Sequence, residues 1–426
     1  MKSVNICNTI SYEILILYTE SFIVVKVIGN LQFLKVVRME TLRIGMFSWE
    51  SLHSVTVGGV SPHVTELAET LSAIGHEVHI FTQSGWMRDY DEINGVHYQR
   101  CRYDPSGGIV HQMDQMCDAM YDRFGSVERD VGVFDVLHGH DWHPVTALNR
   151  IKHDYDREFV VTYHSTEWGR NGNQFGDWWE SRVISHREWL GGYEAREAII
   201  TTNQFKGEVQ QVYQLPDYKI TVIPNGINPG KIEKEVDTGA VKKRFGIHPY
   251  APAVLFTGRI CYQKGVDMLI DAIPEVLRKR WDTRFVFIGD GGMRPYCEHR
   301  ASELGVRDAC RFLGHVPDET LYDCMNACDI ACVPSRNEPF GIVVLEAWDA
   351  AKPVIATDAV HLVDNFSNGV TGYRNPESLA WCINYSMGDL DSTKEMGRNG
   401  KKLVETKYNW DRIADDTVKV YRRLDG

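Results

Sequence analysis

The sequence predicts an α/β protein of two doubly wound, parallel-sheet domains, and three observations carry that prediction. Short β-branched apolar runs alternate with stretches of 3.6-residue periodicity, and the alternation occurs twice along the chain. A Pro-Asn-Gly break followed by a charged stretch separates the two series. The 426 residues suffice for two separate cores, and 43% apolar with 24% charged content is ordinary for a globular protein. A formal charge of −12 argues against a nucleic-acid or anionic-membrane partner, either of which favours a basic surface.

Residues 1–38 are apolar and β-branched, but Glu13, Glu20, Lys26 and Lys35 interrupt every run. No clean stretch of ~18–20 apolar residues results, so no integral membrane segment is expected there. A signal peptide would need a longer apolar core and a small-residue cleavage site. Met39 directly precedes the first domain strand, and we expect it to be the true start, with 1–38 an over-called extension.

From Leu42 the elements follow in order. Leu42–Phe47 reads as a strand and Val57-Gly58-Gly59-Val60 as a glycine loop. Val64, Leu67, Ala68, Leu71 and Ile74 form a helical stripe ended by Gly75, and Val78–Phe81 is the next strand. This βαβ unit implies a parallel sheet. Further strands are expected at Val133–His138, Phe159–Tyr163, Ala198–Thr202 and Ile220–Ile223. Pro224-Asn225-Gly226 then breaks the chain ahead of the charged segment Lys231–Lys243. The second series places strands at Ala253–Thr257, Phe285–Ile288, Cys310–Leu313, Ile330–Val333 and Val354–Ala356. Its first helix, marked by Val266, Leu269, Ile270, Ile273 and Leu277, contains Pro274. A kink or early stop is expected there, because an interior proline costs ~3 kcal/mol. Ile413, Val418, Val420 and Tyr421 mark a last helix. The expected architecture is therefore two Rossmann-like domains, 39–226 and 227–408, whose parallel sheets face each other across a cleft. A C-terminal helix in 409–426 crosses back onto the first domain. Ligands collect in such a cleft at strand C-termini and helix N-termini.

The stretch Arg336–Ala350 carries Glu338 in a Pro-Phe-Gly turn and Glu346 in the helix that begins near Gly341. Helix N-termini suit phosphate. With their Cα atoms at least ~12 Å apart, the two carboxylates fit different parts of one long ligand. That is wider than the ~5–9.5 Å pair of a glycoside hydrolase. Gly58 and Gly59 would let backbone N–H groups approach a phosphate, although two glycines are also simply good turn residues. Arg259 and Lys264, five residues apart after the first strand of the second domain, can clamp a diphosphate, Arg as a fork and Lys as a point charge. Gly289-Asp290-Gly291-Gly292 could line the same cleft.

Other clusters are weaker. The ten cysteines show no CxxC pair; Cys324, Cys328 and Cys332 read as core residues, and reduced thiols would suit the cytoplasm. His138, His140, Asp141 and His143 contain a workable zinc set, but His-x-His alternates faces on a strand, and a polar sugar-binding rim is the better reading. His164 ends another strand with Glu167 and Trp168 near. The three D-x-D strings (Asp89–Asp91, Asp154–Asp156, Asp389–Asp391) read as chance, so no metal and no cofactor are expected.

Taken in order from Leu42 to Trp410, these motifs resemble a retaining glycosyltransferase of the two-Rossmann (GT-B), group 1 type. VGGV at Val57–Val60, VIPNGI at Val222–Ile227, GR-x4-K at Gly258–Lys264 and E-x7-E at Glu338–Glu346 carry the general resemblance. DVLHGHDWH at Asp135–His143 and HSTEWGRNGN from His164 resemble the glycogen and starch synthase branch. The resemblance implies that Arg259 and Lys264 neutralise a departing nucleotide diphosphate, that Glu346 holds the ribose and that Glu338 holds the transferred sugar. Gly58, Gly59, Phe340 and Gly341 complete the donor site. His164 would lie beside the anomeric carbon, and Asp141, Trp142 and Glu167 on the acceptor side. It also implies that no metal is needed. Thr56, Asn203 and the loop Ala359–Asp364 depart from the family pattern, which leaves donor nucleotide and sugar open.

The expected activity is metal-independent, cytoplasmic transfer of a hexosyl unit, glucose first, from ADP- or UDP-glucose to a glucan-like acceptor. A transferase for a lipid-linked or surface glycan, a sugar-nucleotide 2-epimerase of the same fold and a non-catalytic carbohydrate-binding relic are the alternatives.

Overall fold

A computed structural model of the chain describes residues 14–19, 22–27 and 41–424. Ile14–Thr19 and Phe22–Val27 pair antiparallel, Ile14 opposite Val27, within a first compact unit, 1–42. The expectation that the chain starts at Met39 concerns residues otherwise outside those described. All that follows belongs to the second unit, 43–426.

That unit contains two parallel-sheet α/β domains. The first sheet has eight strands in the spatial order Ile220–Val222, Glu197–Ile200, Phe159–Tyr163, Val136–His140, Arg43–Phe47, Glu77–Gln83, Val96–Cys101 and Tyr90–Ile93. Seven run parallel, and the edge strand Tyr90–Ile93 is antiparallel. The second sheet has six parallel strands, Cys310–Gly314, Arg284–Ile288, Ala253–Thr257, Ile330–Val333, Val354–Thr357 and Gly369–Gly372. Alternation of side chains explains its apolar runs. Val254 and Phe256 face one buried layer of helices, whereas Ala253 and Leu255 face the other. Full burial of each large apolar side chain contributes ~1.5–3 kcal/mol. In the first domain, Phe47 and Phe81 stack 4.7 Å apart at the centre of an aromatic cluster with Phe124 and Phe134.

Most expected strands sit within one or two residues of the reading. Val133–His138 is displaced to Val136–His140, because Gly132 ends the preceding helix and Val133 is 55% exposed. The helix Val266–Lys279 does not stop at Pro274. Val266, Leu269, Ile270, Ile273 and Val276 are all buried along it, and that packing outweighs the lost N–H. The sequence reading omitted the hairpin strands flanking Asn94-Gly95, and the helix Ile109–Val131 with its buried stripe Val110, Met113, Cys117, Met120 and Phe124.

Each sheet has one topological switch point. In the first, Arg43–Phe47 pairs with Glu77–Gln83 on one side and Val136–His140 on the other. In the second, Ala253–Thr257 pairs with Arg284–Ile288 and with Ile330–Val333. Chains leaving the strand C-termini diverge at such points and leave a crevice. The helix Trp410–Tyr421 returns to the first domain, where Trp410 Nε1 donates to Glu66 (2.5 Å) and the Tyr421 hydroxyl pairs with His138 Nδ1 (2.7 Å).

Candidate active site

The turn after Ala253–Thr257 and the turn after Ile330–Val333 leave adjacent strands at the second switch point, so they meet. Lys264 Nζ lies 2.6 Å from Glu338 Oε2, which also accepts from Ser335 Oγ at 2.9 Å. Gly265 makes that approach possible. Its φ of +64° suits glycine, and a Cβ there would overlap the Pro334 carbonyl oxygen. Gly341, at φ +96°, reverses the chain so that the helix Ile342–Asp349 starts beside Glu338. Phe340 is buried against Tyr408 and anchors the turn from behind. Glu338 also bridges to Val360, which brings the Ala359–Asp364 loop alongside the carboxylate.

Glu346 sits one helical turn further in. Burial pushes its carboxyl up to about 7; Lys231 pulls the other way, while Glu66 and Asp318 add to the rise. Arg259 is exposed, and its guanidinium makes no ion pair among the described residues. Gly258 and Ile260 donate their N–H groups to Ile288 O and Asp290 O, so the Gly289–Gly292 loop packs beneath the Arg259 turn.

From the first domain, the glycine loop faces this group. A Cβ on Gly59 would lie 3.2 Å from Ile342 Cδ1, at the start of the opposite helix. The loop holds a feature the sequence reading missed. The N–H groups of Val57 (2.6 Å) and Gly58 (2.7 Å) and the Ser61 hydroxyl (2.6 Å) all donate to Glu50 Oε2. A buried carboxylate thus sets the loop's shape and occupies the Gly58 amide, leaving exposed Gly59 as the nearer backbone for a ligand. The only signal in the sequence was an acidic residue placed three positions after the strand.

His164 ends the strand Phe159–Tyr163, and its N–H donates to Asp141 Oδ1 at 2.7 Å. Asp141, at the end of Val136–His140, takes φ +57°, a conformation Asp tolerates. Burial raises the Asp141 carboxyl to about 6, against the His164 N–H and Arg170. Burial also drives His164 down to about 3, so its imidazole is neutral. Trp142 does not line the cleft: it is 3% exposed within the first domain's core, stacked on His143. Glu167 is likewise buried and committed, its oxygens accepting from Arg170 and Asn171. Arg170 also bonds Glu188, whose carboxyl burial pushes up to about 7.

Between the domains lies a cavity of about 600 Å³ lined by Trp168, Glu208, Asn337, Glu338, His361 and Arg374 among others. Asn337 spans it, donating to Asn173 Oδ1 at 3.0 Å, and Thr202 Oγ1 donates to Pro339 O at 3.0 Å. A hollow of similar size around Lys152, Lys219 and Arg423 holds none of these residues.

Two family models match the chain, Glycosyl transferases group 1 over 238–403 and Glycosyltransferase Family 4 over 57–231. An uncharacterized glycosyltransferase of Methanocaldococcus jannaschii is 34% identical over 388 residues, covering 89% of this chain and 98% of its own length. The chain belongs to the group 1 glycosyltransferases. A glycogen synthase of Mycobacterium tuberculosis is 29% identical over 405 residues, covering 89% of this group 1 glycosyltransferase and 94% of that enzyme. Among solved structures, Anabaena HepE in complex with UDP and glucose superposes with a TM-score of 0.72 at 18% identity, covering 90% and 100% of the two chains. That likeness places the group 1 glycosyltransferase in the GT-B fold. No helix among its described residues is long and apolar enough to cross a membrane.

Proposed function

We propose that this glycosyltransferase moves a hexosyl unit, glucose first, from a nucleotide diphosphate sugar to a glucan-like acceptor with retention at the anomeric carbon. The observation that carries the reading is the Lys264–Glu338 pair at 2.6 Å, set at a switch point and faced by Gly59. A cation and a carboxylate in contact there can each take one end of a sugar–diphosphate bond. Lys264 and the exposed Arg259 would take charge developing on the departing diphosphate, Glu338 the sugar hydroxyls, and Glu346 the ribose. His164 and Asp141 would lie on the sugar's other side. Stabilisation of charge in a closed, water-poor cleft is the main catalytic resource, and it needs no metal.

The named glycogen synthase relative supports a glucan acceptor, and the UDP and glucose in HepE support a nucleotide sugar donor. The cysteines of the described residues are all free, which supports a reducing, cytoplasmic setting. With Trp142 in the core and Glu167 held by Arg170, the acceptor side rests on Asp141 and the cavity beside Glu338 rather than on those two residues.

The test is a panel of ADP- and UDP-sugars scored for nucleotide diphosphate release with and without glycogen. Release that requires glycogen, with an α product from an α donor by NMR, is expected. Acceptor-independent conversion of the nucleotide sugar to its 2-epimer would indicate an epimerase, and an inverted product would remove the retaining assignment.

A further inference from the structure

The histidines brought together are not the set the sequence spacing suggested. His63 on the first helix, His140 and His164 each offer a ring nitrogen within 4.8 Å of the other two. His140 Nδ1 and His164 Nε2 are 3.3 Å apart and share a hydrogen bond that a bound ion would replace. Two nitrogens on a tetrahedral zinc at 2.0–2.1 Å stand about 3.4 Å apart, so one edge of such a site already exists. His138, although its ring is 4.3 Å from that of His140, stands outside the set. Both its nitrogens are engaged, by Tyr421 and by Thr162 at 2.7 Å each.

Independent of spacing, two of the three rings carry unsatisfied nitrogens. Both ring nitrogens of His63, and the second nitrogen of His140 (Nε2, not the one facing His164), are buried without a hydrogen-bond partner among the described residues, and His63 and His140 are only 5% and 0% exposed. Leaving one such atom unpaired costs ~1–3 kcal/mol. Asn225 Oδ1, buried and outside hydrogen-bonding geometry, stands close enough to influence His63. Burial keeps all three imidazoles neutral, the form that binds metal.

We propose that His63, His140 and His164 form a buried, inhibitory binding site for a divalent ion of the zinc class. Three imidazoles suit zinc and its neighbours, whereas magnesium and calcium demand oxygen donors. The Asp141 carboxylate, on the His164 N–H at 2.7 Å, supplies nearby negative charge, and Asn225 or water can take the fourth position. Bound ion would tie down the His164 ring. Inhibition rests on the role proposed for His164; ion binding does not.

The experiment titrates metal-free full-length protein with Zn²⁺ against a chromophoric chelator and records the visible spectrum with Co²⁺. One ion per chain, a tetrahedral Co²⁺ spectrum and zinc-inhibited transfer reversed by chelator are expected. His63→Asn and His140→Asn should each weaken zinc binding by more than ~10-fold, a loss that even an outer partner can cause. Absence of stoichiometric uptake by the unmodified protein overturns the site, as does undiminished affinity in both variants. If a variant fails to fold, the Co²⁺ spectrum of the unmodified chain decides. Stoichiometric binding without inhibition overturns the inhibitory role alone, and a protein inactive on every nucleotide sugar still yields the zinc result.

Discussion

Replacement of Lys264 by alanine tests the heart of the site. It removes an ammonium 2.6 Å from Glu338 Oε2, in a pair whose side chains are 23% and 9% exposed. Breaking a fully buried pair costs ~3–5 kcal/mol, and an exposed one contributes ~0–1 kcal/mol. Partial exposure of Lys264 and the remaining Ser335 bond to Glu338 put the stability loss near ~1–2 kcal/mol, readable as a lower urea midpoint. Turnover should suffer more. Removing one donor to developing negative charge costs ~10²–10³-fold, or ~2.7–4 kcal/mol of transition-state stabilisation. The assay compares kcat/KM for diphosphate release with nucleotide diphosphate affinity by calorimetry. A Lys264→Ala protein that loses the predicted stability yet keeps kcat/KM within about threefold would make Lys264 a structural strut and refute the reasoning.

Other expectations follow from the same geometry. Glu338→Ala should cut turnover by orders of magnitude with a modest change in urea midpoint, and near-normal activity would remove Glu338 from the proposed sugar site. Arg259→Ala should weaken nucleotide diphosphate binding in calorimetry without moving the melting temperature, because the side chain is exposed and makes no ion pair among the described residues. Glu346 has a folded pKa of about 7 against 4.5. The unfolded chain releases this proton first, so the contribution of Glu346 to stability falls as pH rises from 4.5 to 7. Glu346→Gln should therefore gain stability over the parent at pH 8, by no more than ~3 kcal/mol, and gain nothing at pH 4.5; equal gains at both pH values would contradict the assigned burial. Tyr421→Phe strips His138 Nδ1 of its partner and should cost ~1–3 kcal/mol in urea unfolding; an unchanged midpoint would show that the contact is not stabilising.

Much of this molecule was legible in the chain. Period-2 and period-3.6 patterns are local, so the strand series and the closing helix could be read directly. Even the omitted hairpin had its Asn94-Gly95 turn, and the omitted helix had a full apolar stripe. The pairing of Lys264 with Glu338 was foreseeable as a cleft but not as a contact, since 74 residues separate them. What decides it is parallel pairing of the strands Ala253–Thr257 and Ile330–Val333, which sets both turns on one edge.

Side-chain direction was not legible. At a strand's end, the pleat no longer dictates orientation, and one residue of positive φ can turn the chain. Asp141 makes that turn, which keeps its carboxylate on His164 while Trp142 enters the core. By itself, then, the sequence determined the two-sheet architecture and the residues of the glycosyltransferase motifs, because both are written in local spacing. Tertiary structure alone decided that Glu50 occupies the glycine loop's amides, that Glu167 is bound to Arg170, and that His63 rather than His138 joins His140 and His164. Each of these depends on which distant surfaces are packed together, and on where burial leaves a polar atom without water.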